Sequence, residues 1–129
     1  MRVLALDYGS ARCGVAVSDP TGTLATPLEP VLRPGTKKGF AAVRQRVASL
    51  EVERVVVGLP VSLRGGDSAQ TVEVREFAAR LERAVDVPVE LYDERFTTSL
   101  ALQAGGSASL DSRAAAVLLE EWLARGSTL

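Results

Sequence analysis

RVLALDYGSARCGVAVSD, residues 2–19, is the stretch whose reading decides the fold. An apolar run from Arg2 to Leu6 leads into Asp7, and a second run, Cys13–Val17, ends at Ser18-Asp19-Pro20. Between them Tyr8-Gly9-Ser10-Ala11-Arg12 is rich in turn formers, so the stretch predicts two strands joined by a tight turn. A third extended segment is expected from Leu24 to Leu32. Pro27 and Pro30 place it at a sheet edge, because proline cannot donate a ladder hydrogen bond. The three together predict an antiparallel meander.

Beyond the meander, Phe40, Val43, Val47 and Leu50 recur at helical spacing after Gly35-Thr36, which predicts a first helix. Val55-Val56-Val57 is a continuous β-branched run, the pattern of a strand covered on both faces, and it ends at Gly58-Leu59-Pro60. Ser68 is placed to cap a second helix running to Ala84, with Val72, Phe77, Leu81 and Val85 as its buried members. Val87–Leu91 predicts another strand running into Tyr92-Asp93-Glu94-Arg95. A short helix capped by Thr97 or Thr98 and ending at Gly105-Gly106 is expected next, and Asp111 caps or opens a final helix over Ser112–Ala124. Later strands separated by helices must be parallel, because each helix supplies the crossover. The expected architecture is α/β, a mixed five-stranded sheet with helices on both faces.

At 129 residues, 47% of them hydrophobic, the chain fits one domain over residues 1–129. No run approaches the ~20 apolar residues that span a bilayer, and the first strand carries Asp7, so a cytoplasmic protein is expected. The single cysteine, Cys13, lies in an apolar run and reads as a small buried hydrophobe. Histidine is absent, so hydrolytic chemistry would run on carboxylates, hydroxyls or metals. The net charge is −1, yet residues 1–50 carry seven Lys/Arg against three Asp/Glu and the remainder eight against thirteen. The first third is therefore the basic part, and Arg12, Lys37, Lys38, Arg44, Arg46 and Arg64 are candidate contacts to a phosphate backbone.

The carboxylates fall at strand ends. Asp7 closes the first strand, Asp93 and Glu94 close the last, and Asp111 begins the final helix. Singly, Asp7 fits a turn residue, Asp111 an N-cap and Asp93-Glu94-Arg95 a solvated loop. Jointly they form a hard oxygen donor set that suits Mg²⁺ or Mn²⁺ and leaves coordination positions for substrate phosphate. Gly65-Gly66-Asp67-Ser68 lacks the Gly-Lys-Ser/Thr ending of a P-loop and reads as a flexible connection.

Four segments in order, LALDYGSARCGVAVSD, VVVGLPVSLRGG with VREFAARL, VELYDERFTT and LDSRAAAVLLEEWL, resemble the YqgF/RuvX family of Holliday-junction resolvases, also described as pre-16S rRNA nucleases. The resemblance covers nearly the whole chain. It implies an RNase H-like fold and divalent-metal hydrolysis of structured nucleic acid, either rRNA precursor or branched DNA. By motif it assigns Asp7, Glu94 and Asp111 as catalytic residues holding one or two Mg²⁺ or Mn²⁺ ions. Asp93 becomes a neighbour, and Arg95 and Thr98 become candidates for holding a carboxylate or a phosphate. Two departures stand out: Gln103–Leu110 is uncharged where such proteins are often Lys/Arg-rich, and the loop after Gly-Leu-Pro reads Arg64-Gly65-Gly66 instead of Asp-Gly. Two other readings remain open, a non-catalytic nucleic-acid or ribosome-precursor binding module and an ATP-binding phosphotransfer protein. Length opposes the latter, which needs two such domains around a cleft. Either a monomer or a homodimer is compatible with the sequence.

Overall fold

The computed structural model describes residues 1–59, 69–93 and 110–125, with the backbone alone at Leu110 and Asp111. Its elements in chain order are β1 (Val3–Asp7), β2 (Arg12–Ser18), β3 (Ala25–Leu32), α1 (Lys37–Ser49), β4 (Arg54–Leu59), α2 (Ala69–Ala84), β5 (Val89–Asp93) and α3 (Leu110–Arg125). The strands form one five-stranded sheet in the order β3-β2-β1-β4-β5. β1–β2 and β2–β3 pair antiparallel, while β1–β4 and β4–β5 pair parallel, so the expected mixed sheet is present.

Side-chain alternation divides the sheet into two cores. Leu4, Leu6, Val15, Val55 and Val57 face α1 and α2, and they pack with Phe40, Val43, Val74, Phe77 and Leu81. Val3, Ala5, Ala16 and Val56 face the other way and pack with Ala115, Leu118, Leu119 and Trp122 of α3. Small residues on both sides of this second layer, Ala5 and Ala16 against Ala115 and Ala116, leave room for α3 to lie close on the sheet. Cys13 is buried, as its apolar surroundings imply.

Two expectations shift. Val72 is 43% exposed, and the buried face of α2 is Thr71, Val74, Phe77, Ala78 and Leu81, the true 3–4 residue stripe. The last strand begins at Val89, not Val87, because its register is set by β4, with Val55 opposite Val89 and Leu59 opposite Asp93. The Ser68 cap and the short helix after Thr97 or Thr98 lie outside the described residues. Among the described residues no helix is long and apolar enough to cross a membrane.

A sharp corner joins β3 to α1. Arg33 adopts a left-handed φ of 46°, and its carbonyl accepts from both the Thr36 N–H and the Thr36 hydroxyl. Thr36 in turn caps α1 by accepting from the Gly39 N–H at 3.1 Å. The Arg33 carbonyl lies so near the first turn of α1 that a Cβ on Gly39 would sit 1.9 Å from its oxygen. Glycine within a helix ordinarily costs up to ~1 kcal/mol relative to alanine, so Gly39→Ala would stabilise an unconstrained helix. Here the backbone overlap reverses the sign. Gly39→Ala is expected to lower the stability by about 2 kcal/mol or more, read from the urea midpoint.

Candidate functional site

Strand alternation places Asp7 two residues beyond Ala5, on the face that α3 covers, while Tyr8 joins Leu4 and Leu6 on the opposite face. Asp7 is half-buried at the C-terminal end of the central strand, opposite Gly14 of β2. Its carboxylate has no hydrogen-bond or ion-pair partner among the described residues. Among the described residues, then, the carboxylate makes no polar contact that would hold the fold together.

Its neighbours are held firmly. Buried Tyr8 donates its hydroxyl to Glu73 Oε2 on α2 and packs against Phe77 at a tilt of 42°, with ring centroids 4.7 Å apart. Burial, reinforced by the hydrogen bond to Glu73, pushes the Tyr8 phenol well above its ordinary pKa. Gly9 is required by close approach, since a Cβ there would lie 2.7 Å from the Arg12 carbonyl oxygen. The Arg33 N–H donates to the Ala11 carbonyl at 2.9 Å, tying the β1–β2 turn to the β3–α1 corner. A shallow cleft of about 440 Å³ opens beside this turn, lined by Gly9, Ser10, Ala11, Arg12 and Gln70.

On the other face the first turn of α3 docks against the meander. Ser112, fully buried, accepts from the Val15 N–H at 3.3 Å and donates to the Leu28 carbonyl. The backbone of Asp111 is thereby held beside β2, the strand that pairs with β1 at Asp7. Asp93 ends β5 in the same phase as Val89 and Leu91, which pack toward α1 and α2, whereas Tyr92 packs toward α3. Asp93 therefore faces away from the side on which Asp7 lies. Glu94, Arg95, Thr98, Arg64 and the side chain of Asp111 lie outside the described residues, and among those described no three acidic or cysteine side chains converge.

The basic candidates separate by position. Arg12 opens β2, and Lys37 and Lys38 open α1, all exposed at the Asp7 end of the sheet. The helix α1 then runs away, about 20 Å over its thirteen residues. Arg46 lies in its last turn, next to Leu50, whose carbonyl accepts from Arg2 at the far end of β1. Arg44 lines a larger hollow of about 560 Å³ at that far end, with Val47, Val52 and Val85. Sequence reasoning missed Arg33 and Arg80 at the near end. The Arg80 guanidinium stacks 3.8 Å over the Phe40 ring and donates to the Gly35 carbonyl at 3.2 Å. The Arg33-Pro34-Gly35 turn was the only signal available for the first, and none existed for the second. Asp19 belongs to a different loop, where hydrogen bonds from the Thr21 hydroxyl and the Leu24 and Thr23 N–H groups hold its carboxyl well below the usual carboxylate range.

A sheet ordered 3-2-1-4-5, with a carboxylate at the end of its central strand on the face that the last helix covers, defines an α/β protein of the RNase H-like type. The structure is similar to RuvC from Thermus thermophilus solved with Holliday junction substrate, at TM-score 0.61 and 21% identity over 99% of this chain and 97% of that one. It is also similar to the fowlpox virus Holliday junction resolvase, at TM-score 0.58 and 12% identity over the whole of both chains. The chain belongs to the RuvX family, described as Holliday junction resolvase, whose profile matches residues 1–125. A relative in Maridesulfovibrio salexigens named "Putative pre-16S rRNA nuclease" is 40% identical over 97% of this chain and 99% of its own length. One of the same name in Koribacter versatilis is 47% identical over 75% of this chain and 63% of its own length. The family is one of hydrolytic nucleases.

Because no described residue offsets the Asp7 charge, Asp7→Asn in metal-free buffer is expected to unfold in urea at the parent midpoint or above it, gaining up to about 1 kcal/mol. A midpoint clearly below the parent's would mean that the carboxylate serves the fold.

Proposed function

We propose that the chain is a single-domain, divalent-metal-dependent nuclease that hydrolyses phosphodiester bonds in structured nucleic acid, such as the 5′ end of pre-16S rRNA or a Holliday junction. The observation that carries this reading is the half-buried Asp7 carboxylate, without a polar partner among the described residues, at the end of the central strand on the face that α3 covers. The donor set fits Mg²⁺ or Mn²⁺: hard carboxylate oxygens, no histidine and one cysteine that is buried on the other face. Asp7, Glu94 and Asp111 would hold the ion. The motif names Glu94 for this role, and Asp93, in phase with Val89 and Leu91, lies on the opposite side from Asp7.

When bound, the metal supplies Lewis acidity that lowers the pKa of water and offsets charge on the phosphate. The chain's own part is to fix the three carboxylates and to seat the substrate backbone. Water oxygen adds to phosphorus, the bond to the bridging sugar oxygen breaks, and that oxygen leaves with a proton. The proton that the water loses balances the one that the leaving oxygen gains, and with no histidine in the chain a carboxylate or solvent would carry it between them. Arg12, Lys37 and Lys38 sit at the correct end to hold backbone phosphates, whereas Arg44 and Arg46 sit too far away for the same strand segment. Arg64, Arg95 and Thr98 remain candidates by motif.

The test is cleavage of precursor rRNA and of a four-way DNA junction by the purified chain with Mn²⁺. Asp7→Asn is expected to lower the rate by more than about 100-fold, beyond the loss typical of residues that merely support a ligand. Parental cleavage by Asp7→Asn would overturn the metal site. Binding of either substrate without cleavage by the parent would favour the non-catalytic binding module.

A further inference from the structure

The β2–β3 ladder is irregular at one place. Cys13 pairs with Val31 but Val15 pairs with Leu28, so Glu29 and Pro30 together stand against the single residue Gly14. Proline has no N–H for the ladder, and a bulge is where an edge strand accommodates it. The far side of Gly14 pairs with Asp7. One strand away from the unpartnered carboxylate, the sheet thus carries a deliberate defect.

Ser112 fills that defect. Its hydroxyl takes the Val15 N–H and gives its own hydrogen to the Leu28 carbonyl, so it bridges the two strands where their register changes. The side chain is fully buried and both hydrogen-bonding capacities are used. Helix propensity does not explain a serine here. Alanine is the better helix former, and the next three positions, past Arg113, are Ala114, Ala115 and Ala116. Packing alone does not explain it either, since the neighbouring inward positions of α3 are apolar, Ala115, Leu118, Leu119 and Trp122.

We infer that Ser112 is a positioning residue for the metal site: its bridge across the β2–β3 bulge fixes the start of α3, and with it Asp111, relative to Asp7. The inference rests on reading Asp7 and Asp111 as ligands of one ion. Consecutive Cα atoms are 3.8 Å apart, so a residue pinned at 112 leaves Asp111 little freedom over the sheet. Apolar contacts along α3, through Ala115, Leu118, Leu119 and Trp122, resist separation but tolerate small slides, whereas two hydrogen bonds to fixed backbone groups define a place. Carboxylates that must meet on one ion need that definition more than the fold does.

The experiment is calorimetric titration of the full chain with Mn²⁺ alone, at a temperature where circular dichroism shows each variant folded. Ser112→Ala is expected to weaken Mn²⁺ binding about 10-fold or more, the range known for groups that orient ligands. Ser112→Cys, close in volume but a poor hydrogen-bond partner, is expected to do the same and serves if the alanine variant does not fold. Leu118→Ala loosens α3 away from the bulge and is the control for stability; it should bind Mn²⁺ as the parent does. Parental affinity in both Ser112 variants would overturn the inference, and so would an equal loss in Leu118→Ala. Failure of the parent to bind Mn²⁺, or unchanged binding in Asp7→Asn, would instead overturn the metal reading beneath it.

Discussion

The alternation of β1 governs the rest of the molecule. Leu4, Leu6 and Tyr8 point into the layer made with α1 and α2, while Val3, Ala5 and Asp7 point toward α3. The strand lies between β2 and β4 in the interior of the sheet, so its side chains before Asp7, those of Val3, Leu4, Ala5 and Leu6, are fully buried. A slip of one residue would exchange the two sets, drive Asp7 into an apolar core and turn Leu6 out toward the site. Burial of four consecutive residues therefore fixes where one carboxylate points. Its position is set by the hydrophobic effect acting on its neighbours, not by any bond between the carboxylate and the described residues.

The surroundings of Asp7 are built by long-range polar contacts placed on that frame. Tyr8 reaches α2 through Glu73, Arg33 reaches the β1–β2 turn through Ala11, and Ser112 reaches β2 and β3 through the bulge. Each joins segments far apart in the chain, and each uses a group that the regular ladders leave over. Gly9 and Gly39 permit the two closest approaches, at the carbonyls of Arg12 and Arg33. Rigid loops at the carboxyl end of the strands are what a site needs if its few charged groups are to stay in place against their mutual repulsion.

Much of this could be read in the amino-acid sequence, for reasons that are local. Val3–Asp7, Arg12–Ser18 and Arg54–Leu59 are strands because short apolar runs bounded by turn residues have few other options. The four family segments brought in Glu94, which position alone does not distinguish from Asp93. What escaped was whatever depends on a partner. β5 starts two residues later than its apolar run suggests because β4 sets its register, and α2 turns Val74 inward and Val72 outward because the sheet sets its phase. Arg44 and Arg46 look equivalent to Lys37 and Lys38 as charges in one helix, yet the direction of α1 carries them to the opposite end. Ser112 read only as the residue after a helix-opening aspartate, since its partners are 97 and 84 positions away.

We propose that the Asp7 carboxylate, unpaired among the described residues, belongs to a metal. The most direct measurement is a crystal structure soaked in Mn²⁺, with the ion located by its anomalous scattering. The account predicts one or two ions in contact with Asp7, with Glu94 and Asp111 completing the protein ligands and Asp93 turned to the other face. An ion held by Asp93 in place of Asp7, or saturating Mn²⁺ with no ion at Asp7, would contradict it.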